Sequence, residues 1–229
     1  MPDSHIGTLS ERSLHAMLKE WLAQPGDELE KKVGRYVIDI VREDRLIEIQ
    51  TRHFYAIKRK LANLIDEYLV TLVYPVVAKK WIVKLSPDGE TQLNRRKSPQ
   101  RGNVYSVFRE LVGIPNLVSH PNLSVDVVFV YIDEVRVNDG QGSWHRKGWS
   151  IVDTRLLEVE GQISLHTVGD WQALIPADLE DPFTTRDLSE AVGERIRLAQ
   201  SMAYCLYQMG AVDRIGKQGN SYLYERLPV

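Results

Sequence analysis

Two carboxylates stand where apolar strand residues would be expected. The stretch "YVIDIVREDRLIEIQT" (residues 36–51) reads as a hairpin of Val, Ile and Leu, yet it carries Asp39 and Glu48 inside its apolar runs. If Glu43 and Asp44 form a two-residue turn, Arg42 faces Arg45 and Asp39 faces Glu48 across the ladder. Strand periodicity then puts Val37, Asp39 and Val41 on one face with Leu46, Glu48 and Gln50, and leaves Ile38, Ile40, Ile47 and Ile49 on the face that packs. Like charges directly opposed, with Cβ atoms roughly 4.5–5.5 Å apart, destabilise a sheet. Three compensations are open: a raised pKa on one carboxyl group, a neighbouring Lys or Arg, or a divalent cation held between the two. Hard oxygen ligands favour Mg²⁺ or Mn²⁺, which bind through one or two carboxylates together with waters and a substrate phosphate. The alternative is a solvent-exposed second face on which Asp39 and Glu48 are ordinary surface charges.

The elements that must position this pair follow from hydrophobic spacing. In "TLSERSLHAMLKEWLAQPG" a capping box, Thr8 to Glu11, precedes Leu14, Met17, Leu18, Trp21 and Leu22 at helical spacing, and Pro25-Gly26 ends the helix. After the hairpin, Phe54, Ile57, Leu61, Leu64, Ile65 and Tyr68 predict a second amphipathic helix, followed by the β-like runs "LVTLVYPVV" and "KWIVKL". Helix, strands, helix, strand is a mixed α/β core rather than a bundle. The turn signals "SPDGE" and "RRKSPQRGN" bracket an exposed basic loop containing Arg95, Arg96, Lys97 and Arg101, and "VYSVFRELVG" reads as a short helix ending at Gly113. Further strands are predicted at "SVDVVFVYIDEVRV" and "WSIVDTRLLEVE", on either side of the Gly-rich loop "NDGQGSWHRKG".

From Thr167 the rhythm changes, and a domain boundary is placed there: residues 1–166 form one domain and 167–229 another. "GDWQALIP", "TTRDLSEAVG" (capped by Thr184 or Thr185) and "ERIRLAQSMAYCLYQMG" predict three helices, and "VDRIGKQGNSYLYER" a hairpin with "KQGN" at its tip. In the third helix Ile196, Ala199, Met202, Ala203 and Leu206 would face inward, leaving Arg197, Gln200, Ser201, Tyr204 and Gln208 as an exposed stripe.

The first segment resembles the PD-(D/E)XK nuclease superfamily, the restriction-endonuclease-like fold: a helix, a strand bearing Asp39, a strand bearing Glu48-Ile49-Gln50, then a helix and a strand. The resemblance covers roughly residues 8–84. It implies a mixed sheet flanked by helices, with Asp39 and Glu48 as metal ligands, the Ile49 backbone carbonyl as a third and Glu30 of "GDELEKK" as a further candidate. It implies Mg²⁺ or Mn²⁺ as cofactor and phosphodiester hydrolysis as the reaction. Gln50 occupies the place of the usual Lys; a Glu-x-Gln version occurs in restriction-enzyme branches. Lys58, on the next helix between Phe54 and Leu61, is a second candidate, because the superfamily also relocates its lysine to that helix; a snorkelling side chain is the competing reading of Lys58. The last segment resembles the winged-helix group in overall pattern. That implies nucleic acid, DNA in the first instance, contacted by the exposed stripe together with Lys217, Gln218 and Asn220 at the hairpin tip. Double-strand cutting would call for a homodimer. The competing expectation is a non-catalytic DNA-binding or protein-interaction module on a degenerate nuclease scaffold.

Charge and composition set the limits. The net charge of −2 hides a basic region: residues 52–109 hold 12 Lys or Arg against 4 Asp or Glu, which suits either a polyanionic partner or a solvated face. From Phe183 onward the balance is six Lys or Arg against five Asp or Glu, a weak footprint for nucleic acid. The single Cys205 excludes a disulfide framework and a cysteine zinc cluster and, with no secretory signal pattern, predicts a cytoplasmic setting. The longest apolar run, "YLVTLVYPVVA", is too short to span a bilayer. No P-loop, dinucleotide fingerprint, Gly-x-Ser-x-Gly elbow or His-Glu-x-x-His motif is present.

Overall fold

Pro25-Gly26 and a bidentate arginine end the first helix and set the angle at which the chain enters its sheet. In the computed structural model, which describes residues 6–229 and side chains from residue 13 onward, α1 spans Ile6–Leu22. The predicted capping side chains, Thr8 and Glu11, lie outside the described residues. Arg42 donates from Nη2 to the Leu22 carbonyl (2.8 Å) and grips Asp27 through Nε (2.9 Å) and Nη2 (2.8 Å), so a carbonyl left over at the helix end is satisfied by the strand it leads to.

Three antiparallel strands follow, β1 (Glu28–Val33), β2 (Tyr36–Arg42) and β3 (Arg45–Ile49), then α2 (Phe54–Ile65) and β4 (Leu69–Leu85). β4 lies parallel to β3. The two runs expected as separate strands form this single 17-residue strand, whose register shifts between Val77 and Lys79. Its first half, buried on both faces, is a continuous apolar run rather than an alternation, as a central parallel strand should be. The predicted basic loop is also a strand: β5 (Gln92–Lys97) pairs with the second half of β4, so Arg95, Arg96 and Lys97 lie on a ladder opposite Val83, Ile82 and Trp81. A 3-10 turn at Val104–Val107 leads into α3 (Phe108–Leu111), and the long strands β6 (Leu123–Asn138) and β7 (Trp149–Leu165) complete a seven-stranded sheet of order β1-β2-β3-β4-β6-β7 with β5 beside β4. The molecule is therefore an α/β protein with a mixed sheet flanked by helices.

At Thr167 an element boundary does fall. Thr167 caps α4 (Val168–Gln172), accepting from Asp170 N (3.1 Å), and α5 (Thr185–Val192), α6 (Ile196–Met209) and the hairpin β8 (Val212–Gln218) and β9 (Ser221–Arg226) follow. Thr184 is the cap of α5, with Asp187 returning the capping bond. The hydrophobic core, however, runs straight across that boundary. Trp171 meets Phe108 edge to face at 5.8 Å, and both belong to one buried cluster with Leu61 and Leu64 of α2, Leu72 of β4 and Ala199, Met202 and Leu206 of α6. A smaller cluster on the opposite sheet face joins Leu14 and Leu18 of α1 to Ile40, Ile47, Ile49, Val73 and Val128. Two apolar placements are corrected: Trp21 is 48% exposed and Ile196 45%, because each stands at the end of its helix, past the surface the helix covers.

Candidate active site

The hairpin has the expected register, with Arg42 opposite Arg45, Val41 opposite Leu46 and Ile40 opposite Ile47. It is not one-sided. Val41 and Leu46 are buried in the cluster beneath α2, while Ile40, Ile47 and Ile49 are buried beneath α1, so each face is covered over part of its length, with Val37 left exposed at the start of β2. The strict alternation fails at Asp39: Ile38 joins the α2 side and Ile40 the α1 side. The β2–β3 ladder stops at Ile40, and the neighbouring β1–β2 ladder passes from Leu29–Ile40 to Lys31–Ile38, skipping Glu30, whose φ is 51°. At this break Asp39 Oδ2 accepts from the Ile49 backbone N–H (2.8 Å) and contacts His15 Nε2 of α1 (3.2 Å). The side chain thus takes over an acceptor role that the ladder no longer provides.

Glu48 is 5% exposed, and its Oε1 lies 2.5 Å from the ammonium of Lys60 on α2, which also donates to the Val37 carbonyl (2.6 Å). The contact of Oε1 with Lys60 is a close ion pair. The two carboxyls are driven in opposite directions. Burial pushes Glu48 above the usual carboxylate range, Asp39 adds to this, and Lys60 opposes without cancelling it. Burial acts on Asp39 as well, but the His15 contact, the Ile49 N–H and Lys60 outweigh it and hold Asp39 below its ordinary value. A pair of acids separated in this way can keep one group ionised while the other exchanges a proton.

The expected Lys58 is exposed on α2 and does not reach the carboxylates; Lys60, two residues on, does. The Gln50 amide turns away, donating to the Arg52 carbonyl, while its backbone N–H extends the ladder to Val73 O (2.9 Å). Glu30 is exposed and ion-paired with Lys19, one helical turn beyond His15. His53 serves structure, its backbone N–H donating to Glu110 Oε2 (2.7 Å) at the start of α2. Just past the end of β3, Thr51 and Arg52 border a hollow of about 350 Å³ also lined by Lys80, Arg101 and Arg109, so Arg101 is brought near the strand end that carries Glu48. Arg95 instead pairs with Asp133 (2.9 Å) and, like Lys97, lies over the Trp81 ring; Arg96 is exposed on β5. On α6, Arg197, Gln200 and Tyr204 are exposed and Ser201 half-buried, and Lys217, Gln218 and Asn220 project at the hairpin tip, far along the chain from the carboxylates.

His15 and Lys60 are the members that spacing did not single out. In the run "KRK" at residues 58–60, Lys58 and Lys60 flank the apolar stripe of α2 on either side, and only the way α2 crosses the sheet decides which of them meets Glu48. As to a metal, two carboxylates and the Ile49 carbonyl match the sparse set that Mg²⁺ or Mn²⁺ takes, and an ion on Glu48 Oε1 would have to displace the Lys60 ammonium. Among the described residues no group of three or more His, Cys, Asp and Glu forms a ready-made cage.

Fold and site together define an α/β protein with a buried Glu48 paired to Lys60 and a half-buried Asp39 beside it, at the break of an antiparallel ladder. The chain belongs to the family described as Domain of unknown function (DUF8091), whose model matches residues 12–166. It is also similar to an "Uncharacterized protein" of Treponema pallidum (strain Nichols), 28% identical over 224 residues that cover 97% of this chain and 88% of that protein. No solved structure matches the chain significantly. Among the described residues no helix is long and apolar enough to cross a membrane.

Proposed function

We propose that the chain is a metal-dependent nuclease with a restriction-endonuclease-like core, hydrolysing phosphodiester bonds of nucleic acid, DNA in the first instance. The observation that carries this reading is the Lys60 ammonium placed 2.5 Å from buried Glu48, next to Asp39 on the adjoining strand. It supplies, from α2, the cation that Gln50 cannot, in the element to which the superfamily relocates its lysine. The order α1, β2 with Asp39, β3 with Glu48, α2, β4 supports the same assignment.

In this reading Asp39, Glu48 and the Ile49 carbonyl hold Mg²⁺ or Mn²⁺, with Glu30 left outside the site by its pairing with Lys19. The ion, when bound, polarises the scissile phosphate and makes hydroxide accessible at neutral pH. Lys60 tempers the charge of Glu48 and faces the negative charge that develops on the phosphate. His15 fixes the Asp39 carboxylate. Arg101 offers positive charge to the approaching backbone, while Lys80 and Arg109 are paired with Glu134 and Glu194, and the segment after Thr167, read as a winged helix, presents Arg197, Gln200, Ser201, Tyr204, Lys217, Gln218 and Asn220 to duplex.

The test is incubation of the purified chain with plasmid, linear DNA and single-stranded RNA, in Mn²⁺, in Mg²⁺ and in chelator. Metal-dependent cleavage that disappears in Glu48→Ala supports the nuclease; undiminished cleavage by Glu48→Ala removes it. A second reading, a non-catalytic scaffold, is favoured by one specific observation: both carboxylates already have cationic or N–H partners without an ion. Calorimetry with Mn²⁺ separates the two, since a scaffold gives no Glu48-dependent heat.

A further inference from the structure

At the other end of α1 the same sheet face becomes polar. Where the helix stops, the apolar floor of Ile40, Ile47, Ile49 and Val73 gives way to Arg45, Thr71, Ser124, Asp126 and Ser164, which line a hollow of about 590 Å³ with the half-exposed Trp21 at its rim. That size is within the range of small-molecule sites. The floor is built rather than loose surface. Thr71 and Ser124 are only 6% and 7% exposed, their hydroxyls lie 3.0 Å apart, and Ser124 also donates to the Val70 carbonyl. The doubly bonded Arg42–Asp27 pair stiffens one wall.

Against this floor two charges stand unspent. Arg45 donates from Nη1 to Thr71 Oγ1 (3.1 Å) and makes no ion pair among the described residues, which leaves most of its five N–H donors for a partner. Asp126, half-buried, has neither hydrogen bond nor ion pair among the described residues. The register sets Ser124 beside Thr71 and Asp126 beside Val73, so Asp126 is one strand across and one same-face step along from the residue that holds Arg45. That offset is roughly 8 Å between Cα atoms. The guanidinium is anchored on Thr71 and the carboxylate keeps no side-chain partner among the described residues, and both line the same open volume.

We propose that this hollow binds a small oxyanion bearing an amino group, its carboxylate or phosphate on the Arg45 guanidinium that Thr71 holds in place, its ammonium on Asp126, and its remainder against Trp21. Arg recognises carboxylate and phosphate through paired N–H donors, which fits either source of the anion.

The test is ligand-observed NMR on the full chain with three sets of probes: the L-amino acids and phosphoethanolamine by proton saturation transfer, and inorganic phosphate by ³¹P line broadening. An amine-bearing probe should bind, at least tenfold more weakly to Arg45→Gln and to Asp126→Asn. Inorganic phosphate should show no such dependence on Asp126. Binding of amino acids assigns the anion as carboxylate, and binding of phosphoethanolamine alone assigns it as phosphate. Asp126 has no partner to lose, so Asp126→Asn keeps the experiment decisive if Arg45→Gln melts early. Absence of binding by every amine-bearing probe, or equal binding by wild type and Asp126→Asn, overturns the proposal.

Discussion

The carboxylate couple and the segment after Thr167 bury their side chains by opposite rules. Around Asp39 and Glu48 the protein gives up apolar packing on two central strands and offsets the loss with His15, Lys60 and backbone N–H groups. After Thr167 the interior is ordinary: Leu198, Ala199, Met202, Ala203, Cys205 and Leu206 fill α6's inner face, and burial pushes the Cys205 thiol up to about 12. A buried ion pair contributes little net stability over an apolar pair of the same volume, so its presence calls for another explanation. The difference is that polar and charged groups take packing positions in the hairpin, while the C-terminal segment keeps an apolar interior.

The sharpest way to break this contrast is at Glu48. Glu48→Ala should reduce metal-dependent cleavage at least a hundredfold in a gel assay, with the melting transition still cooperative. In the C-terminal segment the largest effect should come from packing: Trp171→Ala should cost about 3–5 kcal/mol in chemical denaturation. Because Trp171 and Phe108 share one core, one transition is expected, and a separate early melt of residues 167–229 would contradict that. Trp171→Phe should be far milder, since the indole N–H is buried without an acceptor and no hydrogen bond is lost.

Lys60→Met sharpens the comparison through pH. Glu48 is already raised by burial, and without Lys60 it rises further. A carboxyl raised in the folded state binds its proton there before the unfolded chain does, so folding gains stability as pH falls through the folded pKa towards the ordinary value. The variant should therefore be destabilised at pH 8 and partly restored at pH 5. Asp39 has the other sign. Its depressed folded pKa means that its contribution is present above the ordinary carboxylate value and is lost as pH falls through the folded one. Asp39→Asn should flatten the acid limb of the stability curve, below about pH 4. The smallest effect is expected at Cys205: native protein should resist iodoacetamide at neutral pH and react only under unfolding conditions, whereas rapid labelling of the native chain would mean that the C-terminal core opens.

Much of this was written in local pattern. The spacing of Leu14 and Leu18, the Thr184 cap, the Arg42–Arg45 register and the inward face of α6 each depend on a few neighbouring residues, and periodicity captures them. Sequence alone placed Asp39 and Glu48 on adjacent strands beside each other. Several decisions lay beyond it. A run of Arg95, Arg96 and Lys97 reads as a loop by composition, yet β4 offers it an open edge, and only the length of β4 shows that edge to exist. The division of the hairpin's two faces between α1 and α2, the choice of Lys60 over Lys58, and the meeting of His15 with Asp39 all depend on where helices cross a sheet. Such crossings are set by contacts between segments distant in the chain, which no local spacing encodes. For the same reason Arg45 and Asp126, unremarkable in the sequence, become an unpaired couple only once five strands and the end of α1 close around them.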